Sequence, residues 1–215
     1  MLSITTIPVT VFAQNARIVG CTKTKECVVV DPGGDADQIV RQIDKLGFSC
    51  KAIWLTHSHL DHCAGVAPLL EYYRVPLLGH RDEAQMRAAV STIAMMYGLP
   101  PAEWPSCPEP TDFISGGESV RVGECAAKVL FTPGHSPGSV SFYFESDRVL
   151  LSGDVLFQGS VGRSDLPGGN HDQLISTIRS ELFILPDDTR VLSGHGDDTT
   201  IGIEKLSNPY CAERS

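Results

Sequence analysis

Thr56-His57-Ser58-His59-Leu60-Asp61-His62 sets three imidazoles and one carboxylate within six positions. Nitrogen and oxygen donors at that density suit divalent cations, whereas a polar loop that merely capped a helix would need only one such residue. His57 and His59 are two apart, so an extended backbone projects both to one side. A turn after Leu60 can bring Asp61 and His62 round beside them. Two sets of ligands can then face two ions.

Other residues repeat this grammar further along. His135 lies in Pro133-Gly-His-Ser-Pro137, His195 in Ser193-Gly-His-Gly196, and Asp154 closes Leu151-Ser-Gly-Asp154. Glycine beside each ligand lets the backbone turn sharply and approach an ion. Taken singly, each of these three reads as a turn residue. Beside the first cluster they read as donors, which leaves only His80 and His171 of the seven histidines unassigned.

The run T-H-x-H-x-D-H, then G-H after a strand, then S-G-D, then S-G-H, resembles the metallo-β-lactamase superfamily, and specifically its glyoxalase II-like branch. Gly162-Arg-Ser-Asp165, the Gly-Gly-Asn-His-Asp-Gln helix start, Thr199-Thr-Ile-Gly202 and Asn208-Pro209 are similar to short single-domain bacterial hydrolases of that branch. The resemblance spans nearly the whole chain and implies an αββα sandwich, two mixed sheets flanked by helices. It also implies that His57, His59 and His135 hold a first ion, that Asp61, His62 and His195 hold a second, and that Asp154 bridges them. Seven nitrogen and oxygen donors can complete two such sites and leave room for a shared water.

The activity implied is hydrolysis of a thioester, S-lactoylglutathione or a related glutathione conjugate, by a water activated between two divalent ions and oriented by Asp61 and Asp154. Zinc is the expected metal, with iron and manganese as alternatives, because such donors accept each of them. The chain ends twenty residues after His195, so the extra C-terminal helical domain by which glyoxalase II grips glutathione is not expected. An alternative is a persulfide dioxygenase acting on glutathione persulfide, with one iron held by two histidines, His62, His135 or their neighbours, and the Asp154 carboxylate. Those relatives usually follow the last histidine with Asp-Tyr, whereas Gly196-Asp197 follows His195. True β-lactamases lack an aspartate at the position of Asp154 and often place a thiol there, which argues against antibiotic hydrolysis.

Three decoys lie among these motifs. Gly134-His-Ser-Pro-Gly138 fits the nucleophile elbow of serine hydrolases, but Pro137 has no N–H to offer an oxyanion, and Ser139–Phe144 alternates like a strand. Cys63, beside His62, reads as a small buried residue at a helix start. Arg163 and Asp165 read as a structural ion pair near the cleft. A metal-binding module without catalysis is disfavoured because closed structural sites usually use cysteines, and none is placed to serve.

The elements that must position these residues follow from periodicity. Ile7, Val9 and Val11 alternate; Arg17–Cys21, Glu26–Val30 and Lys51–Leu55 read as further strands. Asp35 with Gln38 forms a capping-box pattern ahead of a helix ended by Gly47. Helices are expected over Ala64–Tyr73 and Arg81–Tyr97, the latter with Met86, Val90, Ile93 and Tyr97 on one face and its methionines as core filler. Five prolines between Pro100 and Pro110 predict a long surface loop dividing the chain into similar halves. Strands follow at Val120–Val122, Lys128–Thr132, Val140–Phe144, Val149–Ser152 and Arg190–Leu192. Helices are expected over His171–Leu182, capped by Asn170, and Thr199–Leu206. Alternation of strands and helices predicts a layered α/β or α+β architecture.

Bulk properties bound the rest. At 215 residues, 42% hydrophobic and 20% charged, the chain fits one globular domain over 1–215. A net charge of -9 without a basic cluster disfavours nucleic acid as a partner and leaves small molecules. Seven cysteines without a C-x-x-C pair do not form a disulfide framework. With no basic leader and no apolar run long enough to span a bilayer, a cytoplasmic, membrane-free protein is expected.

Overall fold

The computed structural model describes residues 1–212. Its chain divides into two compact units, Met1–Ile114 with Arg121–Ala126, and Ser115–Val120 with Ala127 onward.

In the first unit, strands β1 (Leu2–Val9), β2 (Gln14–Cys21) and β3 (Glu26–Val30) are followed by α1 (Ala36–Leu46), β4 (Ser49–Trp54), α2 (Leu60–Cys63), α3 (Val66–Tyr72), β5 (Leu77–His80), α4 (Ala84–Met96) and β6 (Asp112–Ile114). They form one sheet in sequence order. β1, β2 and β3 pair antiparallel, while β3 to β6 run parallel because a helix crosses over between each consecutive pair. β2 and the valines of β3 are buried without a break, the pattern of strands covered on both faces. Ile18, Cys27, Val29, Ile53 and Leu55 share a core with Ile39 and Ile43 of α1, Leu69 of α3 and Val90 of α4.

The second sheet draws on β7 (Ser119–Val122), β8 (Cys125–Phe131), β9 (Val140–Phe144) and β10 (Val149–Gly153). A small hairpin, β11 (Leu156–Phe157) and β12 (Ser160–Val161), precedes α5 (His171–Thr177), and β13 (Arg190–Ser193), β14 (Thr199–Thr200) and α6 (Ile201–Ser207) end the described chain. The order is β14-β13-β10-β9-β8-β7; β10 pairs parallel with β13, whereas β8 with β9, β9 with β10 and β13 with β14 pair antiparallel, which makes the sheet mixed. Leu130, Leu150, Leu156 and Val191 pack with Leu174, Ile178, Leu182 and Ile201 in the second unit's core. The α/β class and the two mixed sheets with helices are those expected.

Several local expectations are corrected. Val11 is not on a strand: β1 starts earlier, at Leu2, and Val11 stands exposed in the turn after it. Asp35 does not cap α1 with its side chain. Its backbone is left-handed (φ 49°), and its Oδ2 accepts the Thr10 N–H at 2.7 Å while the Asp35 carbonyl takes the Gln38 N–H. Gly47 does end α1 as expected, at φ 67°. On α4, Arg87, Val90 and Ala94 form the buried stripe; Met95, Met96 and Tyr97 are exposed, so those two methionines fill no core. The proline-rich loop is irregular but not wholly superficial, since Trp104 and Cys107 are buried and their backbones bond Ser91 and Arg87. Asn170 caps α5 through the Gln173 N–H as expected, but the helix passes into a π turn over Ile178–Leu182. Strands β5, β6, β11, β12 and β14 were not expected, and β14 takes Thr199–Thr200, where the terminal helix was expected to begin.

Candidate metal centre

The first unit gathers its donors at the C-terminal ends of parallel strands, where chains leaving a sheet place ligand-binding residues. β4 ends at Trp54, and the chain continues extended through Thr56 to His59, whose φ of -64° and ψ of 153° open α2. The imidazole centroids of His57 and His59 lie 4.8 Å apart, and those of His57 and His62 lie 4.1 Å apart. His57 and His62 are buried, and Asp61, on the first turn of α2, keeps 15% of its side chain exposed. The four motif residues are therefore assembled by one strand end and one helical turn.

Sequence reasoning missed Asp31. It follows β3, is 3% exposed and has a left-handed backbone (φ 50°). Oδ1 accepts the Thr56 N–H at 2.7 Å; Oδ2 accepts the Thr56 hydroxyl at 2.6 Å and lies 3.0 Å from His62 Nδ1. A carboxylate there can accept from Nδ1–H, which orients the ring and leaves Nε2 as its basic nitrogen. His57 Nδ1 is likewise 3.1 Å from the Thr56 hydroxyl. The signal available was Val30-Asp-Pro-Gly-Gly34 after a buried strand. A Cβ at Gly33 would stand 1.6 Å from the Asp61 carbonyl oxygen, so only glycine lets this loop pass α2.

Glu83 was also missed. Wholly buried at the start of α4, its Oε2 accepts the Ser58 N–H at 2.9 Å. Cys63 is buried as expected, its Sγ 3.4 Å from the Ser58 carbonyl. Burial, reinforced by contact with the Cys107 thiol, pushes the Cys63 thiol well above its ordinary range, so no thiolate competes with the imidazoles. His80, left unassigned by its sequence, accepts the Asp82 N–H at Nδ1.

The second unit brings its three expected donors together. His135 follows β8, Asp154 follows β10 and His195 follows β13. The Asp154 carboxylate lies between the two imidazoles, Oδ1 at 3.1 Å from His195 Nδ1 and Oδ2 at 3.9 Å from His135 Nε2. His135 Nδ1 donates to the Arg163 carbonyl at 2.7 Å, which leaves Nε2 as the basic nitrogen. Close packing explains the glycines: a Cβ at Gly162 would meet the Asp154 carbonyl oxygen at 1.8 Å, and one at Gly134 the Leu174 backbone at 2.4 Å. Phe157 presents an edge to His195 at 6.3 Å between centroids.

Ser136 bonds Ser139 at 2.7 Å and is followed by β9, not the helix a nucleophile elbow needs. The Arg163 side chain pairs bidentately with Asp165 at 2.8 Å for each contact, and both side chains are exposed. This hydrogen bonding holds the Asp165 carboxyl down to about 2. All seven cysteines are buried and no disulfide links them.

In each unit, then, nitrogen and oxygen donors are clustered, imidazoles are oriented by protein oxygens, and no thiolate intervenes. That donor chemistry fits zinc, iron or manganese. Residues 9–195 match the family model described as metallo-beta-lactamase superfamily, and the chain belongs to that superfamily. It is 35% identical to hydroxyacylglutathione hydrolase GloC of Haemophilus influenzae over all of both chains. Among solved structures it is similar to the BLEG-1 B3 metallo-beta-lactamase, with TM-score 0.89 and 36% identity, covering 98% of this chain and 100% of that one. It is also similar to TTHA1623 in a di-iron-bound form, with TM-score 0.87 and 35% identity over 96% of this chain and 99% of that one.

Proposed function

We propose that this protein is a dinuclear metallohydrolase of the glyoxalase II-like branch that cleaves glutathione thioesters, S-lactoylglutathione foremost. Residues 1–215 act as one catalytic domain. His57, His59 and His135 would hold one ion, Asp61, His62 and His195 the other, and Asp154 would serve both. The observation carrying the metal reading is the Asp154 carboxylate, which turns one oxygen toward His195 and the other toward His135. Support for a thioester comes from the full-length likeness to GloC, and support for two ions from the likeness to a protein solved with two irons.

When bound, two divalent ions lower the pKa of a shared water toward neutrality and offset the charge that develops on the attacked carbonyl oxygen. Asp154 and Asp61 accept hydrogen bonds from that water at their carboxylate oxygens and aim it at the carbonyl carbon. His62 and His135 keep their Nε2 lone pairs directed by holding Nδ1–H against Asp31 and the Arg163 carbonyl. The thiol product, with a pKa of about 8.5, departs as thiolate without a strong general acid. Zinc suits this chemistry, since it is a redox-inert Lewis acid.

No helix among the described residues is long and apolar enough to cross a membrane. Seven thiols without a disulfide accord with a cytoplasmic location. The deciding experiment is metal analysis of the purified protein with three assays: S-lactoylglutathione hydrolysis, oxygen uptake with glutathione persulfide, and opening of a chromogenic β-lactam. Thioester cleavage without oxygen uptake is expected. Oxygen uptake with a single iron, or β-lactam turnover without thioester cleavage, would replace this reading.

A further inference from the structure

After β4 the segment Thr56–His59 has left the sheet and is without ladder partners of its own, yet Thr56, His57 and Ser58 are all buried. Buried N–H groups must find acceptors. Those of Thr56 and Ser58 find carboxylates from two other elements: Asp31 takes the first at 2.7 Å and Glu83 the second at 2.9 Å. Residues 56 and 58 are thus gripped at their main chain, and the interleaved residues 57 and 59 carry the imidazoles. Asp31 also reaches an imidazole directly; Glu83 is bonded to the backbone joining the two histidines.

We propose that Glu83 is a positioning residue for the metal centre: by accepting the Ser58 N–H, its buried carboxylate fixes the separation and aim of the His57 and His59 rings. This rests on the metallohydrolase reading above. A fully buried carboxylate is costly, and an apolar side chain would fill the same space at lower cost. Its setting at the head of α4 favours the charge, since the helix N-terminus carries partial positive charge. Loss of the hydrogen bond would free the peptide between two ligands to rotate. Small displacements there matter, because groups that orient ligands typically alter metal affinity 10–100-fold.

The test compares Glu83→Ala with Glu83→Gln, whose amide oxygen can still accept the Ser58 N–H. Zinc affinity is measured by chelator competition on each protein, the ligand field by the visible spectrum of the cobalt-substituted form, and folding of the metal-free form by far-UV circular dichroism. Glu83→Ala is expected to bind the more weakly held zinc at least about tenfold less tightly and to show a shifted cobalt spectrum. Glu83→Gln should restore affinity to within about threefold of wild type with a wild-type spectrum, a rescue that lost packing alone would not predict. A folded Glu83→Ala with unchanged affinity and spectrum overturns the proposal. So does a folded Glu83→Gln no better than the alanine variant. Should Glu83→Ala not fold, Glu83→Gln decides alone: wild-type affinity and spectrum support the role, and a folded protein with weakened zinc overturns it. Wild-type protein that binds no metal would instead sink the metallohydrolase reading.

Discussion

At the scale of single residues, Asp154 and Asp31 stand in different settings although both are carboxylates beside imidazole nitrogens. Asp154 turns one oxygen toward each of two histidines, the geometry on which its proposed bridging role rests. Asp31 engages an imidazole Nδ1 and a threonine hydroxyl, the contacts of a group that orients a neighbouring ring. Asp154→Ala should therefore remove at least one metal equivalent and abolish thioester hydrolysis while far-UV circular dichroism is unchanged; undiminished turnover would contradict its assignment. Asp31→Asn should leave metal bound but weaken affinity about 10–100-fold, measured by chelator competition. The motif donors were legible because they are dense and glycine-flanked. Asp31 and Glu83 were not, because they are single acidic residues whose importance comes from burial and from bonds to residues 25 positions away.

At the scale of elements, periodicity found strands with one continuous run, such as Glu26–Val30 and Val140–Phe144, to the residue. It missed β5 and β6, which have four and three residues and take their partners from distant parts of the chain. It also misjudged Asp35, where a capping-box pattern was present but a left-handed backbone carried the carboxylate to Thr10. Propensity is local, and a tertiary hydrogen bond outcompeted it. The loop after β12 offers an element-level test. Gly162→Ala would force its new Cβ against the Asp154 carbonyl oxygen 1.8 Å away, so the loop must shift. A loss of about 1–3 kcal/mol in unfolding free energy is expected from denaturant titration, together with weaker metal binding.

At the scale of the whole molecule, ligand protonation links pH, metal and stability. Imidazoles bind metal only when neutral, so occupancy should fall as pH drops below about 6, and retention of all metal at pH 4.5 would count against a histidine site. The Arg163–Asp165 pair is a control. Its carboxyl is depressed to about 2, so whatever stability the pair adds is present above the ordinary carboxylate range and lost only as pH falls through 2. Metal loss near pH 5 cannot be charged to it. Chelation at neutral pH should lower the melting temperature, since a ligand at a hundred times its dissociation constant stabilises by about 2.7 kcal/mol. An unchanged melt would mean that the cations are not coupled to folding.

His135 is held by the main-chain carbonyl of residue 163, while the side chain of that same residue faces outward to Asp165. Every amino acid supplies a carbonyl, so no replacement at this position deletes the acceptor itself. The outward face can thus be exchanged, charge and all, with the imidazole still anchored. Surface charge at residue 163 is therefore uncoupled from the hydrogen bond that anchors the ring behind it.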